Sequence, residues 1–126
     1  MESELTKMIM AISLLPLIVI TGIFLRIKKR PYNNVLFSIH KIIAFAFIVF
    51  SIIVFIRFFR GINTNIAISF LLLSTTALMI LNFITGALQS FEKEAARIIN
   101  ILHKISSYLV IICLPISFII IYKSFI

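Results

Sequence analysis

VLFSIHKIIAFAFIVFSIIVFI, residues 35–56, decides the fold of this chain. Across these residues Lys41 is the one charged side chain, and Ser38, His40 and Ser51 are the only other polar ones. A helix needs about 20 mostly apolar residues to cross some 30 Å of hydrocarbon, so the stretch reads as a transmembrane helix. Arg57-Phe58-Phe59-Arg60-Gly61 ends it. Three further apolar runs of similar length flank it, at about Met8–Leu25, Ile66–Leu88 and Ile98–Ile121. Four transmembrane helices joined by short connections predict an all-α integral membrane protein, an up-and-down bundle whose consecutive helices are antiparallel. We read residues 1–126 as a single membrane domain.

Composition agrees. Of 126 residues, 62% are hydrophobic, where about half is normal for a soluble domain. The net charge of +8 raises the question of nucleic acid. The twelve Lys and Arg, however, lie singly or in short clusters at the ends of apolar runs, as membrane anchors do, so no nucleic-acid partner is expected. Cys113 is the only cysteine, which excludes a disulfide, a thiolate cluster or a C-x-x-C-H haem attachment. The first run follows the acidic start Met1-Glu2-Ser3-Glu4 and lacks a small-residue cleavage site, so it reads as a retained span. Pro31 and Asn33-Asn34 are expected to break the chain between the first two helices, and Pro16 and Pro115 fall inside the first and fourth. Glu92-Lys93-Glu94-Ala95-Ala96-Arg97 suits a helix start, with its acids in the first turn.

Orientation follows from Lys and Arg placement. Loops one and three carry Arg26, Lys28, Lys29, Arg30, Lys93 and Arg97, with Lys41 and Lys104 close by; the opposite side has Lys7, Arg57, Arg60 and Lys123. The bias is eight to four. It predicts loops one and three on the cytoplasmic side of the cytoplasmic (inner) membrane and both termini outside.

The chain also repeats itself. His40-Lys41-Ile42 recurs as His103-Lys104-Ile105, 63 residues later, and Ile20-Thr21-Gly22 recurs as Ile84-Thr85-Gly86, 64 residues later. The fold is therefore expected to consist of two repeated helical hairpins, at about residues 8–57 and 66–122. His40 and His103 are the only histidines. Each lies about six residues into its helix, roughly 9 Å below the same membrane face at 1.5 Å per residue. In an up-and-down bundle the second and fourth helices are diagonal partners, which sets the two imidazoles facing each other across the core. Gly22 and Gly86 fall near the same level, where a missing side chain lets a flat group approach. Ala44 and Ser107 sit one turn after the histidines on the same helical face.

Two axial imidazoles ringed by small residues describe a bis-histidine haem b site with His40 and His103 as iron ligands. Lys41, Lys104 and the Arg26–Arg30 cluster are placed to pair with propionates near the interface, although both lysines also suit plain snorkelling. Zinc competes for paired histidines but wants three or four ligands. The chain has no Asp, and Glu2, Glu4, Glu92 and Glu94 all lie outside the apolar runs. The same lack of a membrane-embedded carboxylate disfavours a proton-coupled small multidrug transporter.

The pattern of Ile-Thr-Gly near the end of one span and His-Lys-Ile early in the next resembles bacterial membrane b-type cytochromes of the cytochrome b561 kind. It is also similar to the transmembrane cytochrome subunits of ferric reductases and hydrogenases. The resemblance implies a helical bundle that holds haem b through imidazoles and passes electrons between a quinone or soluble carrier and a partner. His40 and His103 match the axial histidines of that pattern. Such cytochromes commonly carry a second histidine about four turns further along each ligand helix; near Val54 and Ser117 this chain has none, which limits it to one haem.

The expectation is thus an electron-transfer cytochrome with one haem b, a component of a redox system and not a stand-alone enzyme. Its surroundings are the lipid bilayer and, to complete electron transfer, a quinone, a redox partner protein or a homo- or hetero-oligomer. Two other readings stand beside it: a haem-free small subunit that anchors or stabilises a larger complex, and a small transporter using the histidine pair as a proton relay.

Overall fold

The computed structural model describes residues 2–28, 33–61, 65–91 and 97–125. They form four helices, α1 (Glu2–Lys28), α2 (Asn34–Gly61), α3 (Ile66–Phe91) and α4 (Arg97–Phe125). No strand occurs among the described residues. The all-α class and the four helices expected from the apolar runs are both present, and all four helices are long and apolar enough to cross a membrane.

Each helix outruns its apolar core. The shortest has 26 residues and the longest 29, about 39–44 Å at 1.5 Å per residue, against some 30 Å of hydrocarbon. The helices continue beyond the ends of the apolar runs. Arg26 and Lys28, Arg60, and Lys123 occupy the last turns of α1, α2 and α4, where cations favour the negative end of the helix dipole. Pro16 and Pro115 lie inside continuous helices, each removing one backbone donor without ending its helix.

Asparagine caps the starts of α2 and α3. Asn33 Oδ1 accepts the backbone N–H groups of Val35 and Leu36 at 3.0 and 3.3 Å, and Asn65 Oδ1 accepts that of Ala67 at 3.3 Å. These are side-chain caps on otherwise orphaned donors. The expected break at Pro31 and the expected helical start at Glu92–Ala96 lie outside the described residues.

The chain divides into two compact units, Met1–Ile53 and Val54–Ile126. The first contains a hairpin of α1 with most of α2. Thr21, seven residues before the end of α1, meets His40, six residues after the start of α2. The second contains the hairpin of α3 and α4, tied at two levels by Thr85 with His103 and by Thr75 with Ser117. The last turns of α2 belong to this second unit, where the Phe55 ring lies 5.9 Å from that of Phe118 in a tilted pair.

Burial repeats with the sequence. Met8 and Ala11 are buried in α1, as are Leu72 and Thr75 64 positions later in α3. Phe47, Ser51, Val54, Phe55 and Phe58 are buried in α2, as are Val110, Leu114, Ser117, Phe118 and Ile121 63 positions later in α4. The remaining faces are apolar and exposed, with Ile27, Ile42, Leu73 and Phe70 among them, the last at 73%. Exposed apolar surface on this scale requires lipid around it.

Candidate functional site

Both histidines are seated in the same way, each within its own hairpin. In the first, Thr21 is held by its helix: its Oγ1 donates to the carbonyls of Leu17 and Ile18, at 2.8 and 3.1 Å. The same oxygen lies 2.8 Å from His40 Nδ1. In the second, Thr85 Oγ1 donates to Leu81 and Asn82 carbonyls at 2.9 and 3.1 Å and lies 3.1 Å from His103 Nδ1. A threonine inside a membrane helix back-bonds to the preceding turn, which fixes its rotamer and aims the oxygen at the neighbouring helix.

The glycine after each threonine makes room for the ring. A Cβ built on Gly22 would stand 3.3 Å from His40 Cε1, and one on Gly86 only 3.0 Å from His103 Cε1. The flat group whose approach the glycines permit is therefore the imidazole itself. Gly22 and Gly86 lie six and five residues before the ends of α1 and α3, at Lys28 and Phe91. His40 and His103 are half-buried, each six residues after the first residue of its helix.

The second seat is more polar than the first. His103 Nδ1 also lies 3.0 Å from the backbone carbonyl of Asn82. The Asn82 side-chain oxygen receives the hydroxyls of Ser106 at 3.1 Å and Ser107 at 2.8 Å. Both hydroxyls also reach the His103 carbonyl, at 3.1 and 2.6 Å. At the matching positions the first hairpin has Ile18, Ile43 and Ala44. Three polar residues have thus been exchanged together for three apolar ones, while Thr, Gly and His are kept.

Of the residues singled out in the sequence, Gly22 meets His40, and Gly86 and Ser107 meet His103. Ala44 is half-buried one turn after His40. Lys41 Nζ sits 4.3 Å from the centre of the Phe37 ring one turn earlier, a cation–π contact. Lys104 is exposed. Lys29 and Arg30, from the cluster assigned to propionates, lie outside the described residues. No group of three or more His, Cys, Asp or Glu comes together among the described residues. Thr21, Thr85 and Asn82 stand outside the set of site residues that the sequence predicts. The threonines stood in plain view inside the repeated Ile-Thr-Gly triplet, whereas Asn82, facing Ile18 in the repeat, carried no such signal.

These seats can orient an imidazole, hold its Nδ1 and keep its edge against bare backbone. Comparison of the chain with models of known protein families, with curated proteins and with solved structures finds no match.

Proposed function

We propose that this protein is a membrane-embedded electron-transfer cytochrome that binds one haem b with His40 and His103 as axial ligands. The observation that supports this reading most is the duplicated seat. Two hairpins of otherwise divergent sequence each hold one histidine by Nδ1 on a threonine hydroxyl, against a glycine. A ring held at Nδ1 has Nε2 as its ligand atom, the arrangement in which outer hydrogen bonds orient metal-binding histidines. The donor set fits a bis-imidazole iron and suits a structural zinc site poorly, which wants four ligands. When bound, haem b supplies the one-electron Fe(III)/Fe(II) couple. The chain's own residues hold and orient the imidazoles, and its apolar helices surround them with low-dielectric packing that shifts the potential. With two histidines in all, the protein takes one haem, and a quinone or a partner protein exchanges electrons with it.

The absorption spectrum of the purified protein tests this, oxidised and then reduced with dithionite. Sharp reduced α and β bands that vanish in both His40→Ala and His103→Ala are expected. Their persistence in both variants overturns the site.

A second reading draws on the interhelical hydrogen bonds themselves. Thr21–His40 and Thr85–His103, with Asn82, Ser106 and Ser107, each tie two helices of a hairpin together, and polar side chains serve as interhelical clamps in membranes. On this reading the protein is a haem-free anchoring subunit. A colourless preparation from haem-replete cells selects it.

A further inference from the structure

We infer that both histidines carry the proton on Nδ1 and the lone pair on Nε2, and that Thr21 and Thr85 are positioning residues that accept this N–H, Thr21 at His40 and Thr85 together with the Asn82 carbonyl at His103. Its functional meaning, that the lone pair is the one offered to iron, rests on the cytochrome reading; the tautomer itself does not.

The argument starts at His103, where chemistry leaves one choice. Asn82 contributes a backbone carbonyl 3.0 Å from Nδ1, and a carbonyl can only accept. Nδ1 must therefore carry a proton. A neutral imidazole has one N–H, so Nε2 is bare. Thr85 Oγ1 is the second oxygen on that proton, at 3.1 Å. Its own hydrogen has carbonyl acceptors in the preceding turn, Leu81 at 2.9 Å and Asn82 at 3.1 Å, so the oxygen faces Nδ1 with a lone pair. Thr21 repeats this geometry: carbonyls of Leu17 and Ile18 at 2.8 and 3.1 Å take its hydrogen, and its lone pair faces His40 Nδ1 at 2.8 Å. Each threonine works as a relay of polarity. The helix carbonyl orients the hydroxyl, and the hydroxyl orients the ring.

This explains which parts of the seat the two hairpins share. Asn82, Ser106 and Ser107 are exchanged for Ile18, Ile43 and Ala44, yet the threonine stands in both. The contact between the threonine hydroxyl and Nδ1 is thus the polar contact that the two seats have in common. An N–H that donates to a firm acceptor also raises the basicity of the opposite nitrogen. The threonines therefore tune the ligand as well as aiming it.

Nitrogen NMR of the full chain in lipid nanodiscs, with ¹⁵N-labelled histidine and at a pH where imidazole is neutral, reads the tautomer with or without haem. Reduction first makes any low-spin haem iron diamagnetic. Both wild-type rings are expected to show a protonated Nδ1; a proton on Nε2 with a bare Nδ1 at either ring overturns the inference. Thr21→Val is expected to shift the Nδ1–H resonance of His40 and leave that of His103 in place. Thr85→Val is expected to do the reverse, with the proton still on Nδ1 because the Asn82 carbonyl remains. Thr→Ser variants, which keep the hydroxyl, are expected to restore both resonances. In haem-bearing protein each valine variant is further expected to raise the reduction potential and each serine variant to restore it. Unchanged resonances in both valine variants overturn the positioning role. Absence of haem bands with Nδ1–H at both rings would refute the cytochrome and leave the tautomer standing.

Discussion

Gly22 and Gly86 occupy equivalent positions, but the tolerance at each differs by a few tenths of an ångström. A methyl group at Gly86 would stand 3.0 Å from His103 Cε1, a separation that forces something to move, and the ring is held by Thr85 and the Asn82 carbonyl. Overpacking a tight site costs about 1–3 kcal/mol, while replacing a mid-helix glycine with alanine returns about 1 kcal/mol. Gly86→Ala is therefore expected to lower the midpoint of thermal unfolding in detergent. At Gly22 the distance is 3.3 Å, and the two effects nearly cancel, so Gly22→Ala should remain within about 1 kcal/mol of wild type. Equal losses at the two positions would show that ring contact is not what the glycines serve. Ser51 presents the opposite case. It is fully buried, and its hydroxyl has no hydrogen-bond partner among the described residues. An unsatisfied buried hydroxyl costs about 1–3 kcal/mol, and the matching residue in the second half is Leu114, also fully buried. Ser51→Ala is expected to stabilise the protein by about 1 kcal/mol in the same assay.

At the scale of helices, the second hairpin is tied by hydrogen bonds where the first has apolar side chains. Thr75 Oγ1 and Ser117 Oγ lie 3.2 Å apart, and the matching residues of the repeat are Ala11 and Val54. Each hydroxyl also donates to its own helix, Thr75 to the Leu71 carbonyl and Ser117 to that of Cys113, both at 2.8 Å. Neither is stranded when the other is removed, which keeps the interhelical term small. A double-mutant cycle with Thr75→Ala and Ser117→Ala is expected to give a coupling of about 0.6 kcal/mol, the usual size for such pairs in membranes. A coupling above about 2 kcal/mol would mean that the pair is a main fastening of the hairpin. The helices themselves were legible in the sequence because four apolar runs of spanning length admit little else. Their ends were less so. A hydropathy boundary marks where lipid stops, and α1, α2 and α4 continue past it through Arg26, Arg60 and Lys123. The histidine seats were half legible. The repeated His-Lys-Ile and Ile-Thr-Gly triplets located them, and glycine's role as a gap was foreseen. That the threonine hydroxyl holds the ring was not, since it depends on which side chain a helix turns toward its neighbour. Asn82 lay beyond reach for a further reason: it has no partner in the repeat, and its backbone carbonyl, not its side chain, meets the ring.

For the whole chain, charge placement decides how the spans are threaded. Six of the twelve cations lie between Arg26 and Arg30 or between Lys93 and Arg97, two more follow early in α2 and α4, and four lie toward the opposite ends of the helices. Cations near span ends resist translocation, and acidic residues contribute little to that rule, so Glu92 and Glu94 do not offset Lys93 and Arg97. Arg57 and Arg60 pull the other way, but their pair is outnumbered by Arg26, Lys28, Lys29 and Arg30 across the same helix. With an even number of spans the segments before α1 and after α4 share a side, so one reporter reads both. A periplasm-dependent phosphatase fused after Ile126 is expected to be active and a cytoplasm-dependent fluorescent protein there to be dark. Neutralising Arg26, Lys28, Lys29 and Arg30 together leaves the bias at four to four, and the fusion should then partition between both sides of the membrane. A fluorescent, phosphatase-negative fusion in the unaltered chain would reverse this orientation.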